Sequence, residues 1–158
     1  MLSTFDKKEV SKLYLSAAPN LSGGADSLLL SYIFTRQACL INPDDPKNIE
    51  KFANIFLAQK DYLNAYKSSE KWFSLPNNVS DLDSRANMFF IKGLSAQHLR
   101  KFDIASENLR KAMNTFIQTS NSERFEEAKR NLEIELPRIK EIPHVIYKIL
   151  VLSDNLLE

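Results

Sequence analysis

The chain has one cysteine, Cys39, so no disulfide can form within it. That excludes a disulfide-stapled secreted scaffold and fits a reducing compartment. Glycine occurs three times and proline six, too few for a turn-dense sandwich or barrel, which favours helices. No segment alternates apolar and polar residues as a half-buried strand does. Long hydrophobic runs are missing: the most extended apolar stretch, IPHVIYKILVL at 142–152, is too short to span a bilayer. The start, MLSTFDKKEVSKLYL, has no apolar run behind a basic end. No signal peptide is read there, and a cytoplasmic location is expected. Charge of one sign is also lacking. The 21 Lys and Arg against 20 Asp and Glu leave a formal net charge of +1, which gives no electrostatic case for nucleic acid or an anionic membrane.

The residue groupings of catalysis are equally scarce. The two histidines, His98 and His144, are far apart, and a single cysteine cannot supply a zinc knuckle. His98 ends a predicted helix, where capping or solvent exposure explains it. Cys39 reads as a small buried hydrophobe. SGGAD at 22–26 reads as a break between helices. Asp44, Asp45, Asp81 and Asp83 fall in predicted loops, where capping and turn formation account for them. The two N-x-S sequons, at Asn20 and Asn78, are read as chance. No catalytic residue, metal site or cofactor is expected, and the chain is not expected to be an enzyme.

What the sequence does have is helical periodicity. The 158 residues suit one domain, 1–158. About eight helices are predicted, joined by short loops and punctuated by Pro19, Pro43, Pro137 and Pro143. Two stretches repeat at an offset of forty residues: AQKDYLNAYKSSEKWFSLP from 58 and HLRKFDIASENLRKAMNTF from 98. Each reads as a helix end, a polar turn closed by an aromatic, and a second helix. Ala53 is matched by Gly93, Tyr62 by Phe102, Ala65 by Ala105 and Trp72 by Ala112. A partial third copy lies at 31–43, with Ser31 and Ala38 as its small residues and Pro43 as its stop. Alanine and glycine let two helix backbones approach, and larger neighbours interlock around them.

This pattern resembles the tetratricopeptide repeat, a 34-residue helix–turn–helix unit. The spacing from Ala38 to Trp72 is 34; that from Trp72 to Ala112 is 40, with the extra residues in the loop near 75–83. The repeats are placed at about 26–43 (partial), 47–76 and 84–118. They are followed by a capping helix at 121–136, whose apolar stripe is Phe125, Ala128, Leu132 and Leu136, and an apolar tail at 143–158. The resemblance implies an all-α, right-handed superhelix of about three repeats with flanking helices. It also implies a concave groove for a protein or peptide client. The groove would be lined by Lys47, Glu50, Asn54 and Leu57 in one repeat and Asn87, Phe90, Leu94 and Gln97 in the next.

The layout is similar to that of class II chaperones of bacterial type III secretion systems. The likeness is carried by ACLINPDDPKNIEKFANIFLAQKDYLNAY, KGLSAQHLRKFDIASENLRKAM and QTSNSERFEEAKRNLEIE. Such proteins hold hydrophobic translocator subunits by an extended segment, so that client is what the resemblance implies. Alternatives are an adaptor or assembly subunit without a secreted client, and a regulatory domain of a larger protein. In the adaptor reading Val145, Ile146, Ile149 and Leu150 dock on a partner or on a second copy as a homodimer. Packing of the same tail within the chain is the competing expectation.

Overall fold

Four helix starts, those of α3 (Pro46–Ala58), α4 (Tyr62–Ser74), α5 (Leu82–His98) and α7 (Ser122–Arg130), are set by a short polar side chain one residue before the first turn. Asp45 accepts from the Lys47 amide at 2.9 Å, Asp61 from Asn64 at 3.1 Å, Asp81 from Ser84 at 2.7 Å and Asn121 from Arg124 at 3.2 Å. Each satisfies an amide that the helix itself leaves without a partner. The computed structural model describes residues 4–19, 24–76 and 81–154. The sequons at Asn20 and Asn78 lie outside the described residues.

The helices are α1 (Thr4–Ala17), α2 (Gly24–Ile41), α3 (Pro46–Ala58), α4 (Tyr62–Ser74), α5 (Leu82–His98), α6 (Phe102–Gln118), α7 (Ser122–Arg130), α8 (Leu136–Glu141) and α9 (His144–Asp154). A π-helical turn, Asn131–Glu135, joins α7 to α8. Among the described residues there is no strand, so the all-α expectation holds. From α1 to α7 each helix packs on the next in the chain, and α3 also packs on α5. The hairpins α3–α4 and α5–α6 therefore lie side by side.

Three turns share one backbone form. After α3, Asp61 N donates to Phe56 O and Lys60 N to Leu57 O. After α5, Lys101 N donates to Ala96 O and Arg100 N to Gln97 O; after α6, Asn121 N donates to Phe116 O and Ser120 N to Ile117 O. Each is a Schellman motif. Lys60, Arg100 and Ser120 carry its left-handed conformation, at φ 57°, 60° and 56°. Glycine usually takes that position, and any other residue there costs about 1 kcal/mol.

The matched small residues are buried between helices. Ala53 and Ala65 share a cluster with Ile49, Trp72, Met88 and Ile91, and Ala105 packs with Tyr66, Ala96 and Leu136. At Gly93 the approach is tightest. A Cβ there would stand 2.8 Å from Leu109 Cγ and 3.0 Å from Leu109 N. Trp72 takes the place that Ala112 holds in the next hairpin, and is buried against the start and middle of α5.

Asn48 joins the first three helices. Its buried amide lies 2.7 Å from Ser11 Oγ on α1, 3.2 Å from Ala38 O on α2 and 3.0 Å from Asn42 O. At the other end, Phe125, Ala128 and Leu132 pack on a cluster formed by Ala86, Phe90, Leu109, Ala112 and Phe116.

Pro137 corrects the predicted end of the capping helix near 136. The helical path continues through it to Glu141. Proline lacks an amide and clashes with the carbonyl four residues back in a regular helix. The wider π turn just before Pro137 loosens that geometry, and the proline sits in the first turn of α8, where no amide is needed.

Gly93→Ala gains helix propensity yet must force α5 and α6 apart, so a net loss of about 1–3 kcal/mol is expected. Urea unfolding checks it, and an unchanged midpoint would contradict the close approach. Ser120→Gly, at an exposed turn position, is expected to gain up to about 1 kcal/mol in the same assay. A loss there would contradict the left-handed turn.

Candidate functional site

Two adjoining cavities run across the N-terminal ends of α3 and α5. One, of about 360 Å³, is bounded by Glu50, Asn54, Asn87, Phe116, Asn121 and Arg124 together with Asp81, Asp83 and Ser84. The other, of about 530 Å³, reaches α1 through Lys8, Lys12 and Leu15 and shares Glu50, Asp81 and Ser84 with the first. Lys47 lines this second cavity. The trough they form has a cationic end on α1, an acidic middle, and Arg124 at its far side.

Its floor is a side-chain network between α3 and α5. The Asn87 amide donates to Glu50 Oε1 at 3.1 Å and to Asn54 Oδ1 at 3.4 Å. The Asn54 amide donates to the Glu50 carbonyl at 2.9 Å. Asp81 caps α5, and the hydrogen bond from the Ser84 amide holds its carboxyl below the usual carboxylate range.

Of the eight residues expected to line a groove, Lys47, Glu50, Asn54 and Asn87 face these cavities. The other four do not. Phe90 is only 1% exposed, with the Arg124 guanidinium 5.4 Å from its ring centre and Phe116 beside it. Gln97 is also 1% exposed and donates to Asn131 Oδ1 at 3.4 Å. Leu57 and Leu94 are half-buried against the core clusters. The forty-residue offset equates Phe90 with Glu50 and Gln97 with Leu57. Exposure differs because α7 and the π turn close over α5. Asp81, Asp83, Ser84, Asn121 and Arg124 escaped the sequence reading, because their capping and loop roles hid their shared position.

A separate cleft of about 510 Å³ lies at the hairpin ends, between the α3–α4 turn, the end of α5 and α9. Tyr62 stacks on His98 with ring centres 3.8 Å apart and planes 9° from parallel. The Tyr147 hydroxyl lies 2.5 Å from His98 Nδ1. Burial lowers the His98 imidazole to about 4 and raises the Tyr147 phenol to about 12. His98 is therefore a neutral packing residue rather than the exposed, dipole-favouring imidazolium expected at a helix end. Among the α9 residues whose burial is described, Tyr147 is the buried one. Val145, Ile146, Ile149 and Leu150 remain exposed, at 69, 51, 60 and 48%. Packing of the tail within the chain thus accounts for the face of α9 that carries Tyr147.

Cys39 is half-buried, with Sγ 3.7 Å from Asn48 O, and burial pushes its thiol up to about 11. At neutral pH it is a thiol and a poor nucleophile. Among the described residues no group of His, Cys, Asp and Glu could hold a metal ion, and no helix is long and apolar enough to cross a membrane. No protein-family model, curated protein or solved structure matches this chain.

The depressed His98 value has a definite sign. The unfolded imidazole titrates near 6.5 and the folded one near 4, so the unfolded state binds more protons between them. Stability is full above pH 6.5 and falls as pH drops toward 4, by up to about 3 kcal/mol. Chemical denaturation is expected to show this loss in the native chain beyond that of His98→Gln, which removes the titration and leaves the carboxylates. Parallel pH profiles for the two proteins would contradict it.

Proposed function

We propose that the chain is a non-enzymatic protein-binding module of tetratricopeptide type, a right-handed superhelix holding an extended polypeptide segment in the trough across α3 and α5. The single observation that carries this reading is the Glu50–Asn54–Asn87 network on the floor of that trough. Side-chain amides offer both a donor and an acceptor, so a peptide backbone can replace their mutual bonds without leaving a polar group unmet. Matched small residues and repeated turns support the repeat assignment. Within this reading, the sequence resemblance favours a cytoplasmic chaperone whose client is a hydrophobic secreted translocator.

A second reading is an adaptor that docks a partner on α9. It is favoured by the exposed apolar side chains of Val145, Ile146 and Ile149 on one helix.

Peptides selected from a displayed library for binding the full chain test the first reading. Asn54→Ala with Asn87→Ala is expected to weaken the selected peptides about tenfold or more, roughly 1.4 kcal/mol, while helical circular dichroism stays unchanged. Ile149→Glu is expected to leave them bound. Full binding by the double variant would remove the trough from the account.

A further inference from the structure

The second helix carries its side chains the wrong way round for a core element. Its buried residues are Ser31, Thr35 and Ala38, and Ser11 Oγ on α1 donates to Ala38 O at 3.2 Å. Small side chains on this face let α2 lie close to its neighbours. Its large apolar side chains point outward instead. Leu29, Leu30, Ile33 and Leu40 are 56, 47, 44 and 64% exposed. Packing within the chain makes little use of them, and an exposed apolar face of this kind marks an interaction site.

Asp26, Leu29, Ile33, Arg36 and Leu40 follow one another at steps of three and four residues. That spacing puts all five on one seam, as at the a and d positions of a coiled coil. Asp26 and Arg36 are both exposed. Among the described residues neither forms an ion pair. From Asp26 to Arg36 the seam reads acid, apolar, apolar, base, so it is complementary to itself when reversed.

We infer that α2 pairs antiparallel with α2 of a second copy of this chain, about a two-fold axis at the level of Ser31. Leu29 of each copy then meets Ile33 of the other, and Asp26 meets Arg36. The symmetry forms each contact twice. Apolar burial supplies the attraction, and the two charge pairs set the register. A membrane surface is a poorer occupant, because Asp26 and Arg36 stand on the seam itself rather than at a polar border. Among the described residues, none that lines the trough belongs to α2, so the inference stands apart from the peptide-binding reading. One helix face per copy makes a small interface, and a reversible micromolar dimer is expected.

Sedimentation equilibrium of the full chain, from about 1 to about 200 µM, tests this. A monomer–dimer equilibrium is expected. Ile33→Glu would bury two like charges and should leave only monomer. Arg36→Asp sets a carboxylate against Asp26 of the other copy, twice, and should weaken the dimer about tenfold. Adding Asp26→Arg to it reverses both pairs and should restore the native constant. Ile149→Glu, on α9, should dimerise as the native chain does. Asp26 also favours the start of α2, so helical circular dichroism is followed for every variant and is expected to stay unchanged. A native chain that is monomeric throughout overturns the inference, including one that sediments with phosphatidylcholine vesicles instead. A dimer that survives Ile33→Glu, or is lost in Ile149→Glu, places the contact elsewhere and overturns it too. Failure of the double charge reversal to restore Arg36→Asp overturns the antiparallel register.

Discussion

Everything in this chain depends on how closely α5 can lie against α6. Leu109 comes within van der Waals contact of where a side chain would begin at Gly93, and only hydrogen fits without displacement. Ala53 with Ala65, and Ala96 with Ala105, are buried together in the clusters on either side. Dispersion and hydrophobic burial then accumulate over the neighbouring Trp72, Met88, Ile91 and Phe116. Because adjacent hairpins are held side by side, the N-terminal ends of α3 and α5 come near enough for Asn87 to reach Glu50 and Asn54. The polar trough is thus a consequence of small residues buried elsewhere.

The turns fix the same geometry by another route. Three left-handed residues close the hairpins with one hydrogen-bond pattern, and none of them is glycine. Their cost is met by the capping bonds that follow at Asp61 and Asn121 and by packing of the helices on both sides. Arg100 adds a further role, since its side chain crosses to the carbonyl of Ile139 and to Tyr147. The α5–α6 turn thereby locates α9, and the cleft at the hairpin ends takes its shape from a turn residue.

Helix positions were legible in the sequence because caps and prolines mark them and because alanine recurs at matched places. The turns were not legible in the same detail, since Lys60, Arg100 and Ser120 give no glycine signal. Pro137 misled because a proline ordinarily stops a helix, and nothing in ELPR announces a π turn upstream. Of the groove residues, Lys47, Glu50, Asn54 and Asn87 line the cavities at the ends of α3 and α5. Phe90 and Gln97 were misplaced because repeat equivalence predicts orientation, whereas exposure depends on what comes next in a short stack. Here α7 and the π turn after it cover α5, with Arg124 over Phe90 and Asn131 meeting Gln97. The stacking of Tyr62 on His98 joins residues 36 apart in sequence, and no local pattern encodes it.

The account holds that an extended polypeptide lies across α3 and α5 and exchanges hydrogen bonds with the amides there. The most direct measurement is the nuclear magnetic resonance spectrum of the side-chain amides during titration with a peptide selected for binding this chain. The account predicts that the Asn54 and Asn87 amide signals shift together and saturate with the peptide. Saturable binding that leaves both signals unmoved would contradict it.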